Sequence, residues 1–174
     1  MSTLKVGTIQ DHANSITALV IDSAGRVTQP AKPNFHAREG AAGSASGTTG
    51  VITFNIVDHN IGSCYNTANG RFTAPVAGVY HFCFDSLVST DTSGSALGDG
   101  QNMAVTFIKN GNEGDYSMKS YHRIDGGTQF NTIHRIDNIQ LSASDYVQVK
   151  VTSEYMYRDS SGRFDATFQG YLIG

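Results

Sequence analysis

Six histidines, at positions 12, 36, 59, 81, 122 and 134, and two cysteines, Cys64 and Cys83, are the side chains of this chain best suited to metal or nucleophile chemistry. A zinc site needs ligands that converge on one ion, which shows in sequence as His-x-x-x-His on a helix or as paired cysteine knuckles. Neither spacing occurs. Asp58-His59 is the nearest approach to a cluster and reads as an exposed pair at a strand end. The cysteines form no metal or redox motif and are expected to be free, partly buried thiols. No Gly-x-Ser-x-Gly elbow is present to hold a nucleophilic serine, and the acidic residues follow no calcium-loop pattern. The expectation is a protein without catalytic residues, metal ligands or cofactor.

The information lies instead in the aromatic residues between positions 54 and 84. Rings stand at 54, 65, 72, 80, 82 and 84, with Asn60, Pro75 and Gly78 between them. Tyr80, Phe82 and Phe84 alternate with Val79, His81 and Cys83, and that period of two sets three rings on one face of a strand. Such a face needs a second apolar sheet to cover it, which favours a sandwich. Composition agrees: 19 glycines against 3 prolines suit many short strands joined by tight turns. At 174 residues the chain fits one domain with a short extension. A net charge of −3 gives no electrostatic footprint for nucleic acid or for an anionic membrane. Charged residues are only 16 % of the chain, which hints at a surface covered by other subunits. No apolar run reaches membrane-spanning length. The opening MSTLKVGTIQ lacks the basic-then-apolar pattern of a secretory signal, and no Asn-x-Ser/Thr acceptor occurs, so synthesis and assembly in the cytoplasm are expected.

Two regions differ. Residues 1–33 read as an arm with a small hairpin. Leu4, Val6 and Ile9 are spaced apolar residues, Leu19 and Ile21 lie on a second β-prone segment, residues 22–25 are a turn, and Val27 lies on a short return strand. Pro30 and Pro33 then stop pairing. The arm is too short to bury its own apolar side chains and must pack on a neighbour or a platform. Residues 34–174 read as the main domain. Strands are expected around Phe35 to Ala37, over 51–57, 76–88, 103–109, through Tyr116, Met118 and Ser120, over 130–141, from Tyr146 to Val151, and over 163–173. Asn69-Gly70, Asn110-Gly111, residues 125–127 and Ser144-Asp145 are turn signals, with Asn110-Gly111 the strongest. Ile133, Ile136 and Ile139 have a spacing of three that a helix also uses, but no cap or helix-forming run surrounds them, so strand is preferred. Residues 40–50 and 91–100 read as loops.

Phe54, Asn60, Tyr65, Phe72, Gly78, Tyr80, Phe82 and Phe84, at these intervals, resemble the signature of the globular head of the complement C1q and tumour necrosis factor superfamily. Further likenesses follow in order: PNFHA from position 33, Lys109-Asn110-Gly111, LSASDYVQV from 141, and TFQGYLI from 167. The resemblance implies an all-β jelly-roll sandwich that assembles as a homotrimer, here preceded by an N-terminal β-hairpin arm. Phe168, Gly170 and Tyr171 on the closing strand are then candidates for the trimer interface. By parity Phe168 and Tyr171 face opposite ways, so one can serve the core and the other the contact. Some members of the superfamily hold calcium, but no such ligands map onto this chain.

The arm carries a second likeness. STLKVGTIQ followed by ALVIDSAGRVTQPAKPNFHA resembles a segment that opens many bacteriophage virion proteins. No Gly-x-y collagen stalk precedes the head. Together the two resemblances imply a non-enzymatic knob on the virion surface. Its first reading is a capsid decoration or cement protein bound through the arm to the major capsid protein or another virion protein. Its alternative is a tail-fibre or receptor-binding protein that recognises a host surface glycan or protein through the loops at 40–50 and 91–100. Residues 155–158, Tyr-Met-Tyr-Arg, are expected at the rim of the trimer.

Overall fold

The computed structural model describes residues 5–39, 50–89, 102–113, 119–123, 130–151 and 166–174, and all regular structure among them is strand. Leu4, most of the two predicted loops, Tyr116 and Met118, the turn at 125–127 and the 155–158 segment lie outside those residues. The strands are β1 Thr8–Gln10, β2 Thr17–Ile21, β3 Val27–Thr28, β4 Asn34–Arg38, β5 Gly50–Val51, β6 Ile56–Ile61 and β7 Tyr65–Asn66. They continue with β8 Arg71–Thr73, β9 Gly78–Ser89, β10 Asn102–Lys109, β11 Ser120–Arg123, β12 Phe130–Leu141, β13 Tyr146–Val151 and β14 Ala166–Leu172.

The arm makes a sheet of its own in the order β1-β2-β3. The hairpin expected from residues 17–28 is present, and β1 adds a third strand to it. Its two turns are tied by aspartates. Asp11 accepts from the Asn14 amide at 2.8 Å, and Asp22 accepts from the amides of Ala24 and Arg26, each at 2.9 Å. Gly25 at φ +80° supplies the left-handed residue that the second turn requires.

Two sheets pack face to face to form the jelly-roll sandwich. One runs β12-β9-β14-β4-β6; the other runs β11-β10-β13-β8-β7, with β5 pairing the far half of β13. The core between them is aromatic. Phe35, Phe54, Phe72, Tyr80, Phe82, Phe84, Phe107 and Phe168 are all under 2 % exposed. Phe82 lies 5.0 Å from Phe72 and 5.9 Å from both Phe107 and Phe168, so rings from both sheets meet around it. Each buried ring contributes about 1.5–3 kcal/mol of apolar transfer, with more from edge-to-face contacts.

One segment departs from expectation. Residues 51–57 do not form a single strand: β5 ends at Val51 and β6 begins at Ile56. Between them Ile52 and Phe54 turn into the core. There the buried Tyr65 hydroxyl stands in for a neighbouring strand, accepting from the Phe54 amide at 3.1 Å and donating to the Phe54 carbonyl at 3.2 Å. Asn60 plays a similar part in the turn that follows. Its amide donates to the Tyr65 carbonyl at 2.9 Å and accepts from the Tyr65 N–H at 3.0 Å, so a side chain completes the ladder across Gly62 and Ser63. Asn110 and Gly111 have φ of +52° and +77°, the two left-handed residues of a type I′ hairpin turn.

Candidate functional site

Alternation along four strands sorts the five-stranded sheet into a dry inner face and an open outer one. On β9, Tyr80, Phe82 and Phe84 turn in, while His81, Cys83 and Asp85 turn out. On β4, Phe35 and Ala37 turn in and His36 and Arg38 out; on β12, Ile133 and Ile139 turn in and His134, Ile136 and Asn138 out. On β14 the buried Phe168 alternates with Gln169 and Tyr171. The outer face thus gathers His36, His59, His81 and His134, four of the six histidines. The sequence held the signal for this, because His36 and His81 each sit between two core residues. Scanning for linear metal spacings misses it.

The polar groups on this face are paired laterally. Asp58 accepts from Arg38 Nε at 3.0 and 3.1 Å and meets His36 Nδ1 at 2.8 Å. The Arg38 bond, then the His36 bond, hold its carboxyl below the usual carboxylate range. The His59 ring stacks on His36 with centroids 6.0 Å apart. His134 Nδ1 pairs with Asp85 Oδ1, and the Cys83 thiol donates to Asp85 Oδ2 at 3.1 Å. His81 Nδ1 bonds Asn138 Oδ1 at 2.9 Å, and its ring lies 5.1 Å from that of Tyr171. His59, His81, Asn34, Gln169 and Tyr171 line a shallow hollow of about 390 Å³.

Cys83, His134 and Asp85 are the residue types of a nucleophilic triad, but their arrangement is wrong for one. The carboxylate stands between thiol and imidazole, so no imidazole faces the sulfur. Burial and then the bond to Asp85 push the Cys83 thiol up to about 11, which leaves it protonated and inert at neutral pH. Burial likewise raises Cys64 to about 11. Both thiols are free. Among the described residues no group of three or more His, Cys, Asp or Glu is placed to hold a metal.

The outer face of the opposite sheet is covered in part: Tyr121, opposite Ala104, is 69 % exposed and Val51, opposite Lys150, is exposed as well. Ala104, Thr106, Ile108 and Gln148, which alternate with the core residues of β10 and β13, are all buried. The five-stranded sheet leaves Ile136 59 % and Tyr171 47 % exposed on its outer face.

The predicted interface trio is divided by this geometry. Tyr171 stands on the open face. Phe168 is wholly buried inside the single chain, and Gly170 faces inward against Phe82, so neither is available to a second copy as a contact. Parity leaves one of Phe168 and Tyr171 to the core and the other to the contact, and Phe168 is the core residue, sharing the inner side with Gly170 and Leu172. The signature residues take structural positions throughout. The Tyr80 hydroxyl donates to the Val76 carbonyl at 2.8 Å, and Gly78 lets the C-terminal residues cross β9, where a side chain would meet Leu172 at 2.6 Å.

Of the arm residues, Val6, Ile9, Ile21 and Val27 are exposed and Leu19 is half-buried. Where the arm joins the head, Lys32 Nζ donates to the Ile173 carbonyl at 3.1 Å and the Leu172 amide to the Pro33 carbonyl at 3.0 Å. Ala18, Pro33, Val76, Leu172 and Ile173 border a mainly apolar groove of about 490 Å³ there.

A family model described as the C1q domain matches residues 34–173. Complement C1q tumor necrosis factor-related protein 3 of Homo sapiens and that of Mus musculus are each 31 % identical over 122 residues, covering 70 % of this chain and 44 % of theirs. The chain spans less than half the length of these curated relatives. Among solved structures, the globular domain of zebrafish complement 1qA protein superposes with a TM-score of 0.59 at 18 % identity, over 82 % of this chain and 98 % of that one. Murine APRIL superposes with a TM-score of 0.56 at 12 % identity, over 81 % and 98 %.

Proposed function

The chain belongs to the C1q domain family, and on that premise we propose that it is a non-enzymatic homotrimeric knob, joined by its arm to a larger particle. The observation that carries the trimer is the open outer face of the five-stranded sheet. That face offers Ile136, Tyr171 and a paired polar network to a second copy, whereas Ala104, Thr106, Ile108 and Gln148 on the other outer face are buried within the chain. C1q-like domains are generally non-enzymatic and usually trimeric, which fits the inert thiols of this one.

The arm supports the second half of the reading. Val6, Ile9, Ile21 and Val27 stay exposed on a small sheet of regular geometry, so the arm is shaped without being covered. A partner surface would bury them. Its likeness to the opening segment of bacteriophage virion proteins names the kind of particle: a virion, with the knob decorating or cementing the capsid. The human and mouse relatives do not bear on the particle. Recognition of a host glycan or protein from a tail fibre is the alternative placement for the same trimer.

Deleting residues 2–30 tests the anchoring. The expected result is a soluble knob of unchanged mass ratio that no longer attaches to particles. A truncated chain that still attaches overturns the role given to the arm. Labelled antibody on intact particles separates capsid from tail, and a preparation of purified virions without the protein rejects both placements.

A further inference from the structure

We propose that assembly through the open sheet face is acid-sensitive, with His59 and His81 as the groups that sense pH; this rests on the trimer reading above. The charge on the face decides the sign. At neutral pH, Arg38 stands against Asp58 and Asp85, so among its described residues the face carries one net negative charge per chain. Four protonated histidines would turn that into three positive charges, or nine across three copies brought face to face.

The four are not equivalent. His36 lies on Asp58 and His134 on Asp85, so each gains a carboxylate partner when it takes up a proton. His59 has no such partner to itself. Asp58 already serves Arg38 and His36, the His36 ring is stacked against His59, and β6 is the sheet edge with β4 as its neighbour. A proton on His59 adds a third positive centre around one carboxylate. His81 is flanked by Asn138 from β12 and by Tyr171 from β14, with the protonated Cys83 next along its own strand. None of these neighbours supplies negative charge. Both rings line the same hollow, so a subunit seated on the face would hold the two uncompensated charges in a low-dielectric contact.

Imidazole ordinarily takes its second proton near pH 6.5. A site that disfavours the charged form in the assembled state binds its proton more readily once the subunits separate. Linkage then requires assembly to weaken as pH falls.

Sedimentation velocity of the full chain at micromolar concentration, at pH 7.5 and pH 5.5 with circular dichroism alongside, tests this. Expected are a trimer at pH 7.5, a folded single-chain species at pH 5.5, and a His59→Gln/His81→Gln double variant that remains trimeric at both. A wild-type trimer that persists at pH 5.5 overturns the acid response and leaves the trimer standing. A double variant that still dissociates removes these two histidines from the role, as does dissociation accompanied by loss of the β signal. A single-chain species already at pH 7.5 overturns the trimer reading itself, and this inference with it.

Discussion

Gly170 on β14 lies directly opposite Phe82 on β9, and a Cβ at position 170 would stand 2.6 Å from Phe82 Cδ1 and 2.8 Å from the His81 carbonyl oxygen. The ring at the centre of the aromatic core therefore occupies the space that a side chain would need. The carbonyl cannot yield, because it belongs to the strand that pairs β14. Gly170→Ala is expected to destabilise the chain by about 1–3 kcal/mol, the usual range for overpacking, read as a lower denaturant midpoint. An unchanged midpoint would mean that β9 and β14 are not so closely opposed.

Gly70 gives a sharper version of the same argument. It sits at φ +68°, and an added Cβ would fall 2.2 Å from the Ile52 carbonyl oxygen, so Gly70→Ala combines backbone strain with a clash against main chain. It should destabilise more than Gly170→Ala in the same denaturation series. A milder effect would contradict the placement of the irregular segment after β5.

Tyr65→Phe removes the hydroxyl that satisfies both main-chain groups of Phe54. A loss of about 1–3 kcal/mol is expected, since the amide and the carbonyl are left buried without a partner. Burial raises Tyr65 to about 12 and Cys64 to about 11, so both favour their neutral forms in the folded state. Stability from these groups is full below their ordinary values and is lost as pH rises through the folded ones. Alkaline unfolding should therefore set in between about pH 9 and 12. In Tyr65→Phe the upper part of that fall should flatten, as followed by thermal melts against pH.

Asp145 is the acid counterpart. It accepts from Asn110 Nδ2 at 2.8 Å and from the Ser142 amide at 2.8 Å, and Lys109 Nζ lies 3.0 Å away, so one carboxylate joins two turns. The Asn110 bond, the Ser142 bond and the Lys109 bond, in that order, hold it down at about 2. Its stabilising effect is present above the ordinary carboxylate value and disappears as pH falls through the folded one. The wild type should lose stability between about pH 4 and 2. Asp145→Ala should be less stable at neutral pH and show a shallower decline over that interval.

The fold was legible where the pattern was strong. The β9 rings, the Asn110-Gly111 turn and the β12 segment follow from alternation and turn chemistry alone. The 51–57 run reads as one strand because Ile52 and Phe54 alternate as a strand would, while the Ile52 N–H bonds the Val149 carbonyl and the main chain of Phe54 bonds the Tyr65 side chain, eleven residues on. Gly170 was given to a contact because small residues permit close approach; that the approach is to Phe82 depends on register, which a single chain does not display. The gathered histidines follow from parity, but their pairing with Asp58, Asp85 and Asn138 joins strands far apart in sequence. The exposed arm residues mark a surface without marking what covers it.

The proposed trimer requires that the open face of the five-stranded sheet be the place where copies meet. Sedimentation equilibrium at pH 7.5 on the wild type and on Tyr171→Arg tests this directly, because Tyr171 is half exposed on the outer side of β14, the central strand of that sheet, and lies outside the core. The prediction is a wild-type mass near three times 18.6 kDa, and a folded variant whose association is weakened at least about tenfold, as for an aromatic anchor at a contact. A folded wild type at 18.6 kDa, or a variant as trimeric as the wild type, would contradict it.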